Sequence, residues 1–304
     1  MHSNENTTWE SYRESELARV IPILEKEDIV LEDKQPHIQG ERFLMQAMTT
    51  TSGKKLILVG RNTRTNTRVI IKATSNAEGT LEIEHERLCR SMLGKLDFAY
   101  DIFHAPRELL YTRRDGLTMS IQEYIEQESP FLERPLKEQF TLALTAFKAQ
   151  ESAHASTYGH LAKVQSTFGE KRALTYIDTF EKVKKSVVGA LPENTSLLEL
   201  FERSKQELSV HAETIERYCG FLTHVDFVPH NFRVVKNTIY LLDNSSLRFG
   251  NKHEWWARFI NFMTLYNPPL EQALIEYVRL NRAKEELESL RLMRVYRLGE
   301  IMCY

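Results

Sequence analysis

The sequence predicts an α+β protein of two lobes, a small antiparallel β-sheet lobe with one key helix followed by a larger, mostly helical lobe. Three observations carry this. Short apolar runs of strand type, separated by turn-forming residues, dominate from about residue 38 to 127. Helical periodicity dominates beyond Pro130. A chain of 304 residues also has the length of one large domain or of two lobes sharing a cleft. We take 1–37 as an N-terminal helical extension, 38–127 as the sheet lobe and 128–304 as the helical lobe. With strands in one half and helices in the other, the cleft between the halves is the expected ligand site.

In the extension, Thr7 and Glu10 have capping-box spacing. Trp9, Tyr12, Leu17, Val20, Ile21 and Leu24 then recur at roughly helical intervals, so one amphipathic helix is expected to pack on a neighbouring lobe. Strands follow at 42–47, 55–59 and 68–73, with turn-prone Thr49-Thr50-Thr51-Ser52-Gly53 and Arg61-Asn62-Thr63 between them. A helix from about 81 to 93 comes next, and a strand at 120–125 closes the sheet lobe. Beyond it, helices are expected near 135–157, 168–188 and 194–218, with three more after Lys252. A strand-loop-strand island at 221–243 interrupts them.

Composition narrows the function. The 40 basic and 42 acidic residues are interleaved and leave a net charge of -2, which argues against a nucleic-acid partner. Cys89, Cys219 and Cys303 are scattered and odd in number, so neither a disulfide framework nor a zinc site is expected. No apolar run approaches the roughly 20 residues needed to span a bilayer, and no secretory leader is recognised. A cytoplasmic protein without a membrane partner is the expectation, and the oligomeric state stays open.

The island carries the chemistry. His224-Val225-Asp226-Phe227-Val228-Pro229-His230-Asn231 sets a carboxylate and a carboxamide five residues apart in a loop, and Asp243 ends the apolar strand Thr238-Ile239-Tyr240-Leu241-Leu242. Transfer of a γ-phosphoryl group needs magnesium on the phosphate oxygens, a cation on the phosphates and a base for the acceptor hydroxyl. Asn231 and Asp243 offer the oxygen ligands that Mg²⁺ prefers. Asp226 is left to accept the hydroxyl proton. Lys72, in Val69-Ile70-Ile71-Lys72-Ala73, is the cation on a strand, and either Glu84 or Glu86 of the next helix could orient it. Glu86 is favoured because Ile83, Cys89 and Leu93 share its helix face.

Together these residues resemble the aminoglycoside phosphotransferase and choline kinase superfamily, over roughly residues 40–265. The family's His-Gly-Asp-x-x-x-x-Asn loop is matched by His224-Val225-Asp226 and Asn231, with Pro229 in its expected place, and its later metal aspartate by Asp243. The resemblance implies a bilobal protein-kinase-like fold, Mg²⁺, and ATP or GTP as co-substrate. It implies Asp226 as catalytic base, Asn231 and Asp243 on the metal, and Lys72 with Glu86 on the nucleotide. It also implies that the strand ending Gln122-Glu123-Tyr124-Ile125 is the hinge whose backbone, at Glu123 and Ile125, receives the nucleobase.

The chain departs from the pattern at Val225, Val228 and His230, and has no GxGxxG loop, leaving 49–54 as the phosphate-covering candidate. A β-branched Val225 would be strained if its position required positive φ. Protein kinases follow their metal aspartate with Phe-Gly and a long activation segment, whereas here 244–251 leads straight to a helix with Trp255 and Trp256. The expected function is therefore phosphoryl transfer from Mg-ATP or Mg-GTP to a hydroxyl or amine of a small molecule. The alternative is a catalytically weak or inactive pseudokinase serving as a nucleotide-binding or scaffold module. His224 is expected to shape the loop and Trp255 and Trp256 to be core. Glu126, Glu128 and Glu133 would serve a polycationic acceptor or form a solvated junction.

Overall fold

The computed structural model of the chain describes residues 9–35, 55–93, 103–152 and 158–302. The expected strand at 42–47, the phosphate-loop candidate at 49–54 and the cap residue Thr7 lie outside them. Two units are distinguished, Met1–Leu88 with Pro106–Glu126, and Cys89–Ala105 with Gln127–Tyr304.

In the first unit, strands β1 (Ile29–Leu31), β2 (Leu56–Asn62), β3 (Arg68–Thr74), β5 (Glu108–Arg114) and β6 (Leu117–Glu123) form an antiparallel sheet in the order β1-β2-β3-β6-β5. Alternation along β3 explains its two faces. Val69, Ile71 and Ala73 join Leu56, Leu58, Met119 and Ile121 in a core roofed by Tyr12, Val20 and Leu24 of helix α1 (Trp9–Lys26). Lys72, the alternate residue, points to the other side, where helix α2 (Ala77–Leu93) supplies its partner. The Asp115-Gly116 pair, with φ of 51° and 73°, makes the two-residue turn joining β5 to β6. Gly60 lets β1 approach β2, since a Cβ there would stand 2.8 Å from Ile29 Cγ2.

The second unit is mostly helical: α3 (Leu136–Ser152), α4 (Tyr158–Phe168), α5 (Ala173–Ala190), α6 (Thr195–Val210), α7 (Ala212–Arg217), α8 (Lys252–Tyr266), α9 (Pro268–Asn281) and α10 (Lys284–Ile301). Asparagine side chains at 194, 251 and 267 cap α6, α8 and α9 through the N–H groups of Leu197, His253 and Leu270. Two short ladders carry the loop chemistry. Strand β7 (Phe221–His224) pairs with β10 (Leu247–Gly250), and the hairpin β8 (Phe232–Val235) with β9 (Thr238–Leu241) is extended by β4 (Phe103–His104). Trp255 and Trp256 are fully buried, as expected of core residues. Trp256 stacks on Phe147 at 4.4 Å and donates to Gln150 Oε1, whose amide in turn donates to the Leu222 carbonyl, tying α8 and α3 to β7. No helix among the described residues is long and apolar enough to cross a membrane.

At the start of α8, His253 is fully buried, with Nδ1 2.9 Å from Ser289 Oγ and Nε2 3.7 Å from Glu286. Burial, aided by neighbouring Lys252 and opposed by Glu286, holds its imidazole down to about 4 from an ordinary 6.5. A histidine depressed in the folded state stabilises the protein fully above the unfolded value and loses that contribution as pH falls from 6.5 towards 4. Between pH 7 and 5 the protein is expected to lose about 2 kcal/mol through this group. Urea unfolding at the two pH values checks it: His253→Gln should flatten that part of the slope, and an unchanged slope would assign the acid sensitivity elsewhere.

Candidate active site

In the first unit, β3 sits between β2 and β6, with Lys72 in register with Ile57 and Ser120. Its ammonium donates to both carboxylate oxygens of Glu86, at 2.6 and 2.7 Å, and both side chains are buried. Gln122 Nε2 approaches the same carboxylate at 3.4 Å. Of the two glutamates left open by the sequence, Glu86 is the one beside Lys72. Glu84 instead accepts from Arg113 and Tyr111 at the edge of the sheet.

At the end of β6, Glu123 is already engaged: its N–H donates to the Arg107 carbonyl at 3.0 Å and its carboxylate accepts from the Arg107 N–H at 2.8 Å. The Tyr124 ring lies under the Arg68 guanidinium, 3.9 Å away. The next residue, Ile125, makes no backbone hydrogen bond among the described residues.

The second unit gathers the island residues by register. Phe232 pairs with Leu241, so the residues just outside the hairpin, Asn231 and Leu242, meet through a 2.9 Å bond from the Leu242 N–H to the Asn231 carbonyl, and Asp243 follows. Strand β7 delivers Asp226 from the other side, and Val225 N–H donates to the Ser246 carbonyl at 2.9 Å. Phe227 anchors the loop from within, stacked on Phe232 at 4.8 Å and tilted on Trp255 at 4.3 Å. Val225 is not among the residues with positive φ, so the strain expected of a β-branched side chain there does not arise. The buried His224 ring packs edge-on to Phe227 and Trp255. Burial lowers its pKa, against the Asp243 and Asp226 carboxylates.

Asp226 and Asn231 are in direct contact. The Asn231 amide donates to Asp226 Oδ2 at 2.6 Å and to the Asp226 carbonyl at 3.0 Å. The expectation that Asp226 is left free needs one correction, because its Oδ1 accepts from both Nε and Nη2 of Arg258, each at 2.7 Å. Such a forked, charge-assisted contact orients a carboxylate as well as pairing it. Arg258 was missed by the sequence reading. Its signal is that it is the only charged side chain in Trp255-Trp256-Ala257-Arg258-Phe259-Ile260-Asn261-Phe262-Met263, and a lone cation in an apolar helical run needs a partner.

The fit of Mg²⁺ can be judged from the donors. Asn231 spends its amide N–H groups on Asp226, and its Oδ1 has no hydrogen-bond donor among the described residues. Asp243 Oδ1 accepts from Ser245 N–H at 3.2 Å and from the Ser245 hydroxyl, and Oδ2 from the Ser246 hydroxyl at 3.0 Å, so the orientation of its carboxylate is fixed. An all-oxygen set with one carboxylate and one carboxamide suits a hard ion that keeps several waters.

The fold is α+β and bilobal, of the protein-kinase-like class. Solved structures that share it are phosphotransferases. A thermostable mutant of aminoglycoside phosphotransferase APH(4)-Ia, in ternary complex with ADP and hygromycin B, matches with a TM-score of 0.60 at 16% identity, over 92% of this chain and 88% of that one. The GDP complex of an aminoglycoside 2'-phosphotransferase-IIIa mutant matches with a TM-score of 0.63 at 13% identity, over 94% and 88%. Macrolide 2'-phosphotransferase type I matches with a TM-score of 0.58 at 12% identity, over 96% and 90%. At these identities the likeness is one of fold. No family model matches the sequence, and no curated protein matches it.

Proposed function

We propose that the chain is a phosphotransferase that moves the γ-phosphoryl group of Mg-ATP or Mg-GTP to a hydroxyl, or an amine, of a small molecule. The observation that carries this reading is the contact of Asp226 with Asn231 beside Asp243, in a chain that also presents a buried Lys72–Glu86 pair. Lys72, oriented by Glu86, would neutralise phosphate oxygens, and the backbone at Glu123 and Ile125 would meet the nucleobase. Asn231 Oδ1 and the Asp243 carboxylate would hold Mg²⁺, which supplies charge neutralisation on the transferred group. Asp226 would accept the proton as the acceptor's O–H bond breaks. The new O–P bond forms as the γ-phosphorus separates from its bridging oxygen, and the nucleoside diphosphate leaves with the electron pair. The fold neighbours, solved with ADP and hygromycin B or with GDP, support a nucleotide co-substrate.

A second reading, a weak or inactive pseudokinase, is favoured by one feature, the Arg258 fork that already occupies Asp226 Oδ1. One experiment separates the first steps. Thermal unfolding is followed with ATP and with GTP, each with and without Mg²⁺, beside Asp243→Asn. A ligand at tenfold to hundredfold excess over its dissociation constant adds about 1.4 to 2.7 kcal/mol. Magnesium-dependent stabilisation that Asp243→Asn abolishes is expected. No shift with either nucleotide would remove the enzyme reading, and stabilisation with no turnover against any acceptor would leave the pseudokinase.

A further inference from the structure

We propose that Glu16 of the N-terminal extension is a positioning residue for the nucleotide site: it clamps the connection between β3 and α2, and through α2 holds Glu86 at Lys72. The inference rests on the reading of Lys72 as the cation that meets the phosphates. Glu16 is only 2% exposed, and a carboxylate taken out of water costs a great deal unless its oxygens find partners. Both do, on the same residue. Glu16 Oε2 accepts from the Ser75 N–H at 2.8 Å, and Oε1 accepts from the Ser75 hydroxyl. One turn earlier on α1, the Tyr12 hydroxyl shares a hydrogen bond of 3.2 Å with Thr74 Oγ1.

Ser75 and Asn76 make up the whole connection, since β3 ends at Thr74 and α2 begins at Ala77. Asn76 is fixed in turn. Its N–H donates to Thr74 Oγ1 at 3.0 Å, and its side-chain oxygen caps α2 by accepting from the N–H groups of Glu78 and Gly79 at 3.0 and 3.1 Å. The strand end that carries Lys72 and the helix end that leads to Glu86 are thus held by two α1 side chains. Thr80 adds a tether from the sheet itself, donating to Thr118 Oγ1 at 3.0 Å.

Leverage is what makes the clamp matter to the site. At about 1.5 Å of rise per residue Glu86 stands about 15 Å along α2 from Asn76, so a tilt of about 5° at the connection moves its carboxylate by about 1 Å. The Lys72 ammonium meets that carboxylate at 2.6 and 2.7 Å, and a displacement of that size takes either bond out of hydrogen-bond range. Helix α1 packs with Val69, Ile71 and Ala73, on the face of the sheet that Lys72 points away from. Glu16 therefore acts through the connection and not by contact with a bound nucleotide.

Calorimetric titration of the full chain with Mg-ATP and with Mg-GTP tests this in wild type and four variants. Glu16→Ala is expected to bind nucleotide about tenfold more weakly, the upper range for one displaced hydrogen bond. Glutamine can accept from the Ser75 N–H and donate to the Ser75 hydroxyl, so Glu16→Gln should bind as wild type does. Val20, one turn further along α1 and fully buried in the sheet core, controls for a loosened helix: Val20→Ala should melt earlier and keep wild-type affinity. Ser75→Ala, which leaves the backbone bond to Glu16, should show a smaller loss in the same direction and stands in if Glu16→Ala does not fold. Without nucleotide, amide hydrogen exchange at Glu78, Gly79 and Thr80 should be faster in Glu16→Ala and unchanged in Glu16→Gln. Wild-type affinity in Glu16→Ala overturns the proposal, as does an equal loss in Val20→Ala or Glu16→Gln, or unchanged exchange at those amides. A wild type that binds neither nucleotide removes the phosphotransfer reading and this role with it, an outcome distinct from binding that Glu16→Ala retains.

Discussion

Asp226→Asn is expected to slow formation of nucleoside diphosphate from Mg-ATP or Mg-GTP by about 10² to 10⁴-fold, the usual worth of a positioned general base, while the nucleotide-induced melting shift persists. The asparagine is chosen over alanine for a reason visible in the contacts. Arg258 donates two hydrogen bonds to Asp226 Oδ1, and its side chain is only 13% exposed, so alanine would strand a largely buried guanidinium. Asparagine retains a carbonyl oxygen for Arg258, although its NH2 then faces the Asn231 amide that donates to Oδ2, so it is the milder of the two changes and not a silent one. Asp226→Ala should abolish transfer as well and lose stability besides. Equal turnover in wild type and Asp226→Asn would show that Asp226 is not the base, whatever the loop resembles. Arg258 adds a further expectation of sense. A carboxylate forked by a guanidinium is well oriented but less available, so on the proposed reading turnover with water as acceptor should be slow.

The parts of the fold that were legible in the sequence are those whose determinants are local. Alternation put Lys72 opposite the core-facing residues of β3, and the shared face of Ile83 and Cys89 turned Glu86 inward, where it is found. The island was legible because polar, chemistry-bearing residues interrupt two apolar strands at short range. The strands β1, β5 and β10 were not expected. Two of them are only three and four residues long, and β5 is a sheet edge, Glu108-Leu109-Leu110-Tyr111-Thr112-Arg113-Arg114, with little alternation to mark it. Of the helix expected over 135–157, the described part is Leu136–Ser152, and the residues after it lie outside the described ones. Arg258 was out of reach for a different reason: it stands 32 residues beyond Asp226, and tertiary packing, such as Trp255 and Phe259 on Phe227, brings α8 against the loop.

Glu86→Ala is expected to cost about 3 to 5 kcal/mol of folding stability, because it leaves the Lys72 ammonium, 7% exposed, without its carboxylate. The same substitution should weaken nucleotide binding, so the single variant does not separate structure from function. The pair Lys72→Met with Glu86→Leu does. Replacing both partners of a buried ion pair by apolar groups of similar size is often neutral or stabilising, so the double variant should unfold in urea close to wild type. If Lys72 is retained to meet phosphate oxygens, that stable double variant must also lose its Mg-nucleotide melting shift. Stability restored and binding lost together would make the buried pair a functional device held at an energetic cost. A double variant that still responds to Mg-ATP or Mg-GTP would reduce Lys72 and Glu86 to a structural tie between β3 and α2, and would move the search for the phosphate cation elsewhere.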